Sequence, residues 1–474
     1  MKISIKNVGI VAEAQVDLSK KLIVLCGPNN SGKTYIAYTI YGLLKTATQR
    51  TLMPSVPPLP RQLTELFVKD RWEFDLTFFL KPENAKALNS YVAGFKNSLH
   101  DVFAVAPGTF NDSELSILET DPEFLRKSLL LAEEKFPYVL APGKTIRFEK
   151  KAGETVLKCW LERGTGISPE PVGDEETRRK NVITLFSEMI IRMSLFPKSF
   201  ILPTQRTAVN IFSRELSLKR FQMVDRMLTL QEQKGSENAE VLAILREARR
   251  YTLPIRDSLL IADDLKEYEK TPSKFSELAD ALESFILKGK ISLGGEGEVL
   301  FSPAEWNDLK ITVNLSGSMV NSLSGLVFYF RYLAEEGDFI IFDEPELNLH
   351  PDNQIKIARF IALVVNKGFS VLLSTHSDYI IHELNHCIAF AEMSEENFKS
   401  FKDGYQYEDG NRLKSTDVQV LLFAADENPN GKKILAKEIP IGHDGFEVET
   451  IDKSIRQLNS VSRDLLLVRS SSEN

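Results

Sequence analysis

The chain has 474 residues and a formal net charge of −8, enough length for about three domain-equivalents and too acidic for a protein basic throughout that binds nucleic acid non-specifically; a local basic groove stays open. The three cysteines, Cys26, Cys159 and Cys387, are odd in number and scattered, which excludes a disulfide framework or a four-cysteine zinc site and suits a reducing compartment. No cleavable leader and no bilayer-length apolar run is visible, so a cytoplasmic protein with no membrane partner is expected.

In chain order, Ile3, Ile5 and Val8 alternate with polar residues, Gly9 breaks the run, and alternation resumes from Ala12 to Leu18, the period of β-strands. An apolar run, Leu22 to Cys26, then leads into Gly27-Pro-Asn-Asn-Ser-Gly-Lys-Thr34, followed by the helical pattern Tyr35 to Tyr41. Strand, glycine loop and helix in that order fit the phosphate-loop pattern G-x-x-x-x-G-K-[ST]. Gly27 and Gly32 let the backbone curl so that its N–H groups and the helix N-terminus face phosphate oxygens. Candidate nucleotide contacts are Gly27, Asn29, Asn30, Ser31, Gly32, Lys33 and Thr34, with Lys33 on the β/γ-phosphates and the Thr34 hydroxyl on Mg²⁺. The site starts at the N-terminus, so no separate module is expected before it.

From about 46 to 141 the signals weaken into an insertion, with a proline cluster at Met53 to Pro60 and a helical stretch from Asp121 to Lys135. Thr145 to Arg163 reads as a hairpin around Gly153, Glu175 to Leu195 as an amphipathic helix ending before Pro197, and Ser199 to Leu202 as a short buried strand. Phe212 to Leu287 is helical almost throughout, divided by turn signals at Lys234-Gly-Ser and Thr271-Pro-Ser, and lacks heptads for a long coiled coil. Strands resume at Lys290, Glu298 and Leu309.

Asn314-Leu-Ser-Gly-Ser-Met319 precedes a helix and offers a second phosphate-binding surface through Ser316, Gly317 and Ser318. Phe339-Ile-Ile-Phe342 then delivers Asp343 and Glu344 at the end of a buried strand, where ligands sit in an open α/β sheet. Asp343 is the candidate Mg²⁺ holder and Glu344 the group that polarises attacking water. Ser370 to His376 is another buried strand, and its terminal histidine is placed to sense the γ-phosphate. His382-Glu-Leu-Asn-His386 spells H-E-x-x-H, a zinc pattern, but the only third-ligand candidate that follows, His443-Asp444, is unconvincing and metalloprotease chemistry is not expected. Beyond Asn385 the acids Asp403, Asp409, Asp444, Glu447 and Glu449 form no D-x-D pair. Ala424 to Pro440 reads as a loop and a strand, and Thr450 to Val468 as an amphipathic helix.

GPNNSGKT, LSGSM, IIFDEPELNLHP and STHS, in that order, resemble the ATPase heads of the ABC, SMC and RecF superfamily, and most closely the OLD-like AAA-type ATPases of anti-phage systems such as Gabija, Septu and PARIS, here without a TOPRIM domain. Ile201-Leu-Pro-Thr-Gln-Arg206 resembles the family form l-P-a-e-R. The resemblance implies an α/β ABC-type head, a mixed central sheet plus N-terminal antiparallel strands, with a helical insertion. The expected division is 1–203 for the first part of the head, 204–287 for a helical subdomain or arm, 288–390 for the second part, and 391–474 for a C-terminal extension. The resemblance also implies a head-to-head dimer in which one phosphate loop faces the Ser316-Gly317 signature of the other copy. Gln205 resembles the Q-loop residue that senses Mg²⁺ and water, and Asn348 to Pro351 the D-loop. The signature departs from LSGGQ, so either Ser316 or Ser318 is the γ-phosphate contact. The function expected is slow, Mg²⁺-dependent ATP hydrolysis controlling a separately encoded effector, a nuclease, in defence. The alternative is a RecF-like repair ATPase clamping DNA with Lys219, Arg220, Arg246, Arg249 and Arg250.

Overall fold

The computed structural model describes residues 1–48, 71–81, 85–141, 144–163, 196–209, 211, 250–269, 271–295, 297–306, 308–425, 433–448, 457 and 459–465. The proline cluster, the helix expected at 175–195 and most of 212–249, including Lys219, Arg220, Arg246 and Arg249, lie outside the described residues.

The main sheet has nine strands in the order β5-β1-β2-β16-β15-β3-β14-β13-β9. They are β1 (Lys2–Val8), β2 (Val11–Asp17), β3 (Leu22–Cys26), β5 (Glu114–Glu119), β9 (Ser199–Leu202), β13 (Phe339–Asp343), β14 (Ser370–Thr375), β15 (Val418–Ala425) and β16 (Ile434–Ile439). From β15 to β9 every pairing is parallel, whereas β1 runs antiparallel to β2 and β5, and β16 antiparallel to β15. This is the mixed α/β architecture expected, with antiparallel strands from the N-terminus.

The parallel strands read as unbroken apolar runs because both faces are covered. Ile23, Leu25, Phe339, Ile341 and Leu372 join the core on the side of the helix Lys33–Thr48. Their alternates Leu22, Val24, Cys26, Ile340, Phe342, Val371 and Leu373 join the opposite core, with the helices Ser318–Phe328, Pro351–Asn366 and Asp378–Glu392.

A second sheet, β4-β8-β7-β6, combines β4 (Arg71–Asp75), β6 (Glu134–Ala141), β7 (Lys144–Lys150) and β8 (Val156–Arg163). It therefore draws on both sides of residue 141, and the turn between β7 and β8 uses Gly153 at φ +80°. The helical stretch expected over Asp121 to Lys135 ends at Leu131 and gives way to β6. A third sheet, β10-β11-β12, is built from Gly289–Leu293, Val299–Pro303 and Ile311–Thr312. The C-terminal extension supplies β15 and β16 to the main sheet between β3 and β2; the sequence reading had no strand at 418–425.

Candidate functional site

Register aligns the carboxyl ends of the parallel strands. Cys26 of β3 pairs with Thr375 of β14 and Leu422 of β15, Asp343 of β13 with Ser374, and Phe342 with Leu202 of β9. The loops that follow each strand thus converge on one sheet edge: Gly27 to Gly32, His376, Glu344 and Pro203 to Arg206. That edge is where an open α/β sheet places its ligand.

The loop's conformation needs its glycines. Gly27 has φ +135° and Gly32 +90°; a Cβ on Gly27 would lie 2.6 Å from the Phe423 carbonyl oxygen, and one on Gly32 would lie 2.5 Å from Val11 Cγ2. Lys33 is buried, and its Nζ donates to the Gly27 and Pro28 carbonyls, both at 2.9 Å. Burial holds its pKa below the usual lysine value, against the pull of Glu344, Glu346 and Asp343. Ser31 Oγ is buried without a hydrogen-bond partner among the described residues, as expected of a group that faces a ligand. Asn29 and Asn30 are exposed, Asn30 at φ +58°.

Thr34 Oγ1 stands 3.4 Å from Asp343 Oδ1, so the sheet edge brings both proposed Mg²⁺ holders together. Asp343 Oδ1 also accepts from Ser374 Oγ at 2.5 Å, while its Oδ2 is buried and unpartnered among the described residues. Burial raises the Asp343 carboxyl to about 6. An orphaned carboxylate oxygen beside a threonine hydroxyl is a hard-oxygen donor set that fits a divalent cation retaining waters.

Glu344 sits at φ +51°, a region costly for a non-glycine residue. Its N–H donates to Ser374 O at 3.0 Å and Ser374 Oγ at 3.2 Å. His376 Nδ1 is 3.6 Å from Glu344 Oε1 and 3.3 Å from Glu346 Oε1. The pairing with His376 lowers the Glu344 pKa, and Glu344 in turn raises that of His376.

Gln205 is exposed and its Oε1 accepts from Tyr38 Oη at 3.0 Å; no direct bond joins it to Asp343 or Glu344 among the described residues. Ser316 Oγ donates to Val313 O at 2.6 Å, and Gly317 and Ser318 are exposed at the start of the helix Ser318–Phe328. Among the described residues no hydrogen bond or ion pair joins Ser316, Gly317 or Ser318 to the phosphate loop of the same chain. Asn348, at φ +65°, leads into the helix Pro351–Asn366.

Three participants escaped the sequence reading. Glu346, 5% exposed, accepts from Thr375 Oγ1 at 2.7 Å and from the His376 N–H at 2.8 Å; the third acid in DEPE was a visible signal. Ser374 was visible only as the first Ser of STHS. Arg206, next to Gln205, is buried under the turn after β13. Beside Thr34 and Tyr35, a cavity of about 780 Å³ lies between the β1–β2 turn, Tyr38, Val105 and Lys433, a size suited to a small-molecule group. In the H-E-x-x-H stretch, Glu383 is engaged by Arg359 Nε at 2.7 Å and His386 at 3.2 Å, and no metal-holding cluster of His, Cys, Asp and Glu occurs among the described residues.

A glycine-loop site at the carboxyl edge of a parallel sheet, with lysine, threonine and paired acids, defines a phosphate-loop nucleotide-binding protein. The family described as AAA ATPase domain matches residues 1–136 and 206–381, more than half the sequence, and the chain belongs to it. No curated protein matches the chain. Similar solved structures include an Smc head domain with an extended coiled coil bound to the C-terminal domain of ScpA, from Pyrococcus furiosus (13% identity over 97% of this chain and 98% of that one, TM-score 0.32). Others are an SmcHead bound to the C-winged helix domain of ScpA (12%, 92% and 97%, TM-score 0.34) and the SMC head domain from Thermotoga maritima (10%, 93% and 98%, TM-score 0.30). The fold class rests on the strand order above and not on these alignments. No helix among the described residues is long and apolar enough to cross a membrane.

Proposed function

We propose that the chain binds and slowly hydrolyses ATP between two copies arranged head to head, and that its nucleotide state controls a separately encoded effector, a nuclease, in anti-phage defence. The observation that carries the ATPase reading is the convergence of Lys33, Thr34, Asp343, Glu344 and His376 on one sheet edge. The defence role is supported by the motif resemblance alone.

In this reading Lys33 exchanges the Gly27 and Pro28 carbonyls for phosphate oxygens, and the loop N–H groups cradle the β-phosphate. Bound Mg²⁺, held by Thr34 and Asp343, supplies charge neutralisation. Glu344 takes the proton of the attacking water while His376 keeps its carboxylate turned toward the γ-phosphate. Gln205 orients water from the β9 side, and the Ser316-to-Ser318 segment of a second copy caps the nucleotide. The division into 1–203, 204–287, 288–390 and 391–474 is retained as a proposal, the last part contributing strands to the head.

The test is Lys33→Ala in two assays, nucleotide binding by the purified protein and phage protection in cells carrying the native operon. Both should be lost; protection retained by a variant that no longer binds ATP overturns the switch. DNA-stimulated hydrolysis that falls steeply with salt would favour the RecF-like alternative. Its basic residues lie outside the described segments apart from Arg250, which is exposed.

A further inference from the structure

Arg206 is 4% exposed, and its guanidinium joins three segments far apart in sequence. Nε donates to Ser322 Oγ at 2.6 Å, on the helix that begins at the signature. Nη1 donates to the carbonyls of Pro203 and Asp343, both at 3.1 Å. Nη2 donates to Glu344 O at 2.9 Å, with longer contacts to Pro345 O at 3.4 Å and Leu347 O at 3.5 Å. Ser322 Oγ itself reaches Leu347 O at 3.4 Å.

None of these acceptors is a carboxylate: the hydrogen bonds, all but the one to Ser322 Oγ, fix backbone geometry, while the guanidinium charge acts across space on Asp343, Glu346 and Glu344. The backbone they fix includes the one non-glycine residue of the acidic turn held at φ +51°, Glu344, a conformation that persists only where surroundings over-determine it. A planar fork of five donors can span such a set of carbonyls; a single ammonium cannot.

We propose that Arg206 is the positioning residue that couples the signature helix to Glu344: displacement of the helix Ser318–Phe328 is passed through Ser322 and the guanidinium to the backbone of Asp343 to Leu347, and so to the aim of the Glu344 carboxylate. This rests on the reading of Glu344 as the water-activating group. It assigns to Arg206 no contact with nucleotide, which separates its signature from that of Lys33.

The experiment compares the wild-type chain with Arg206→Lys, Ser322→Ala and the double variant, measuring kcat and KM for ATP, affinity for a fluorescent ATP analogue, and the melting temperature. For Arg206→Lys, kcat should fall roughly 100-fold, the effect of an ångström-scale misplacement, while nucleotide affinity stays within about 3-fold. Ser322→Ala should lower kcat about 3- to 10-fold, and the double variant should be no slower than Arg206→Lys, because both act through one network. A lysine variant with wild-type kcat, losses that multiply as independent effects, or a fall in nucleotide affinity matching the fall in kcat would overturn the coupling. Should Arg206→Lys fail to fold, Ser322→Ala decides: unchanged kcat there refutes it, and lowered kcat at unchanged affinity supports it. A wild-type chain that binds ATP without turnover, by contrast, defeats the ATPase reading and the coupling with it.

Discussion

At the scale of single residues, chemistry at this site depends on which acids are charged and which are held by a partner. Glu344 is kept below the usual carboxylate range by His376, so at neutral pH it is an ionised base whose removal need not disturb the phosphate loop. Glu344→Gln should therefore lower kcat by roughly 100-fold or more, the usual contribution of a positioned general base, while ATP still binds. A binding isotherm and a phosphate-release assay on the same preparation check this. Asp338 behaves differently. Burial raises its carboxyl to about 6, although Tyr329 Oη donates to it at 2.7 Å and the Glu335 N–H at 2.9 Å. Because the folded value lies above the ordinary aspartate value of 3.8, the native state binds the extra proton between those values. Its contribution to stability is full below about 3.8 and lost as pH rises through about 6. Asp338→Asn can accept both bonds without a buried charge, so it should melt higher than wild type at pH 7.5, by roughly 2–4 °C, and lose that advantage below pH 4. Melting curves at the two pH values decide it.

At the scale of elements, the phosphate loop is seated by a strand from the far end of the chain. Phe423 of β15 is fully buried, and its carbonyl oxygen lies where a Cβ on Gly27 would fall, at 2.6 Å. Gly27→Ala should thus push the loop off β15 as well as strain a φ of +135°, and nucleotide affinity should drop by an order of magnitude or more, roughly 1.4 kcal/mol per tenfold. Phe423→Ala should cost about 3–5 kcal/mol of stability, the usual loss for a buried phenylalanine, measured by denaturant midpoint. What could be read in the sequence follows the same physics. Leu22 to Cys26, Phe339 to Phe342 and Ser370 to Thr375 were legible because strands covered on both faces carry an apolar run, and motif residues sit at their ends. Val418 to Ala425 is apolar but for Gln419 and carries no motif, so nothing tied it to the sheet. The role of Arg206 is not legible from the segment Ile201 to Arg206, since most of its partners are backbone carbonyls, which any residue type supplies.

At the scale of the whole molecule, the proposed signature is the part of the candidate site that bonds to no phosphate-loop residue of its own chain among the described residues. Leu315 is 82% exposed beside Ser316, Gly317 and Ser318 are exposed, and among the described residues nothing bonds this segment to the phosphate loop. A leucine that exposed, next to a helix N-terminus able to face an anion, suits a surface covered when a second copy docks with nucleotide between them. In the proposed pair, ATP would favour association only through contacts absent from the single head, and hydrolysis would remove them. The Glu344→Gln variant, loaded with ATP and Mg²⁺, should sediment as a dimer, and as a monomer with ADP. Leu315→Asp in that background should weaken association by roughly tenfold or more, about 1.4 kcal/mol, while leaving nucleotide affinity of the isolated head unchanged. Sedimentation of Glu344→Gln as a monomer with ATP bound, or dimerisation indifferent to Leu315→Asp, would mean that the signature faces something other than a second copy of this chain.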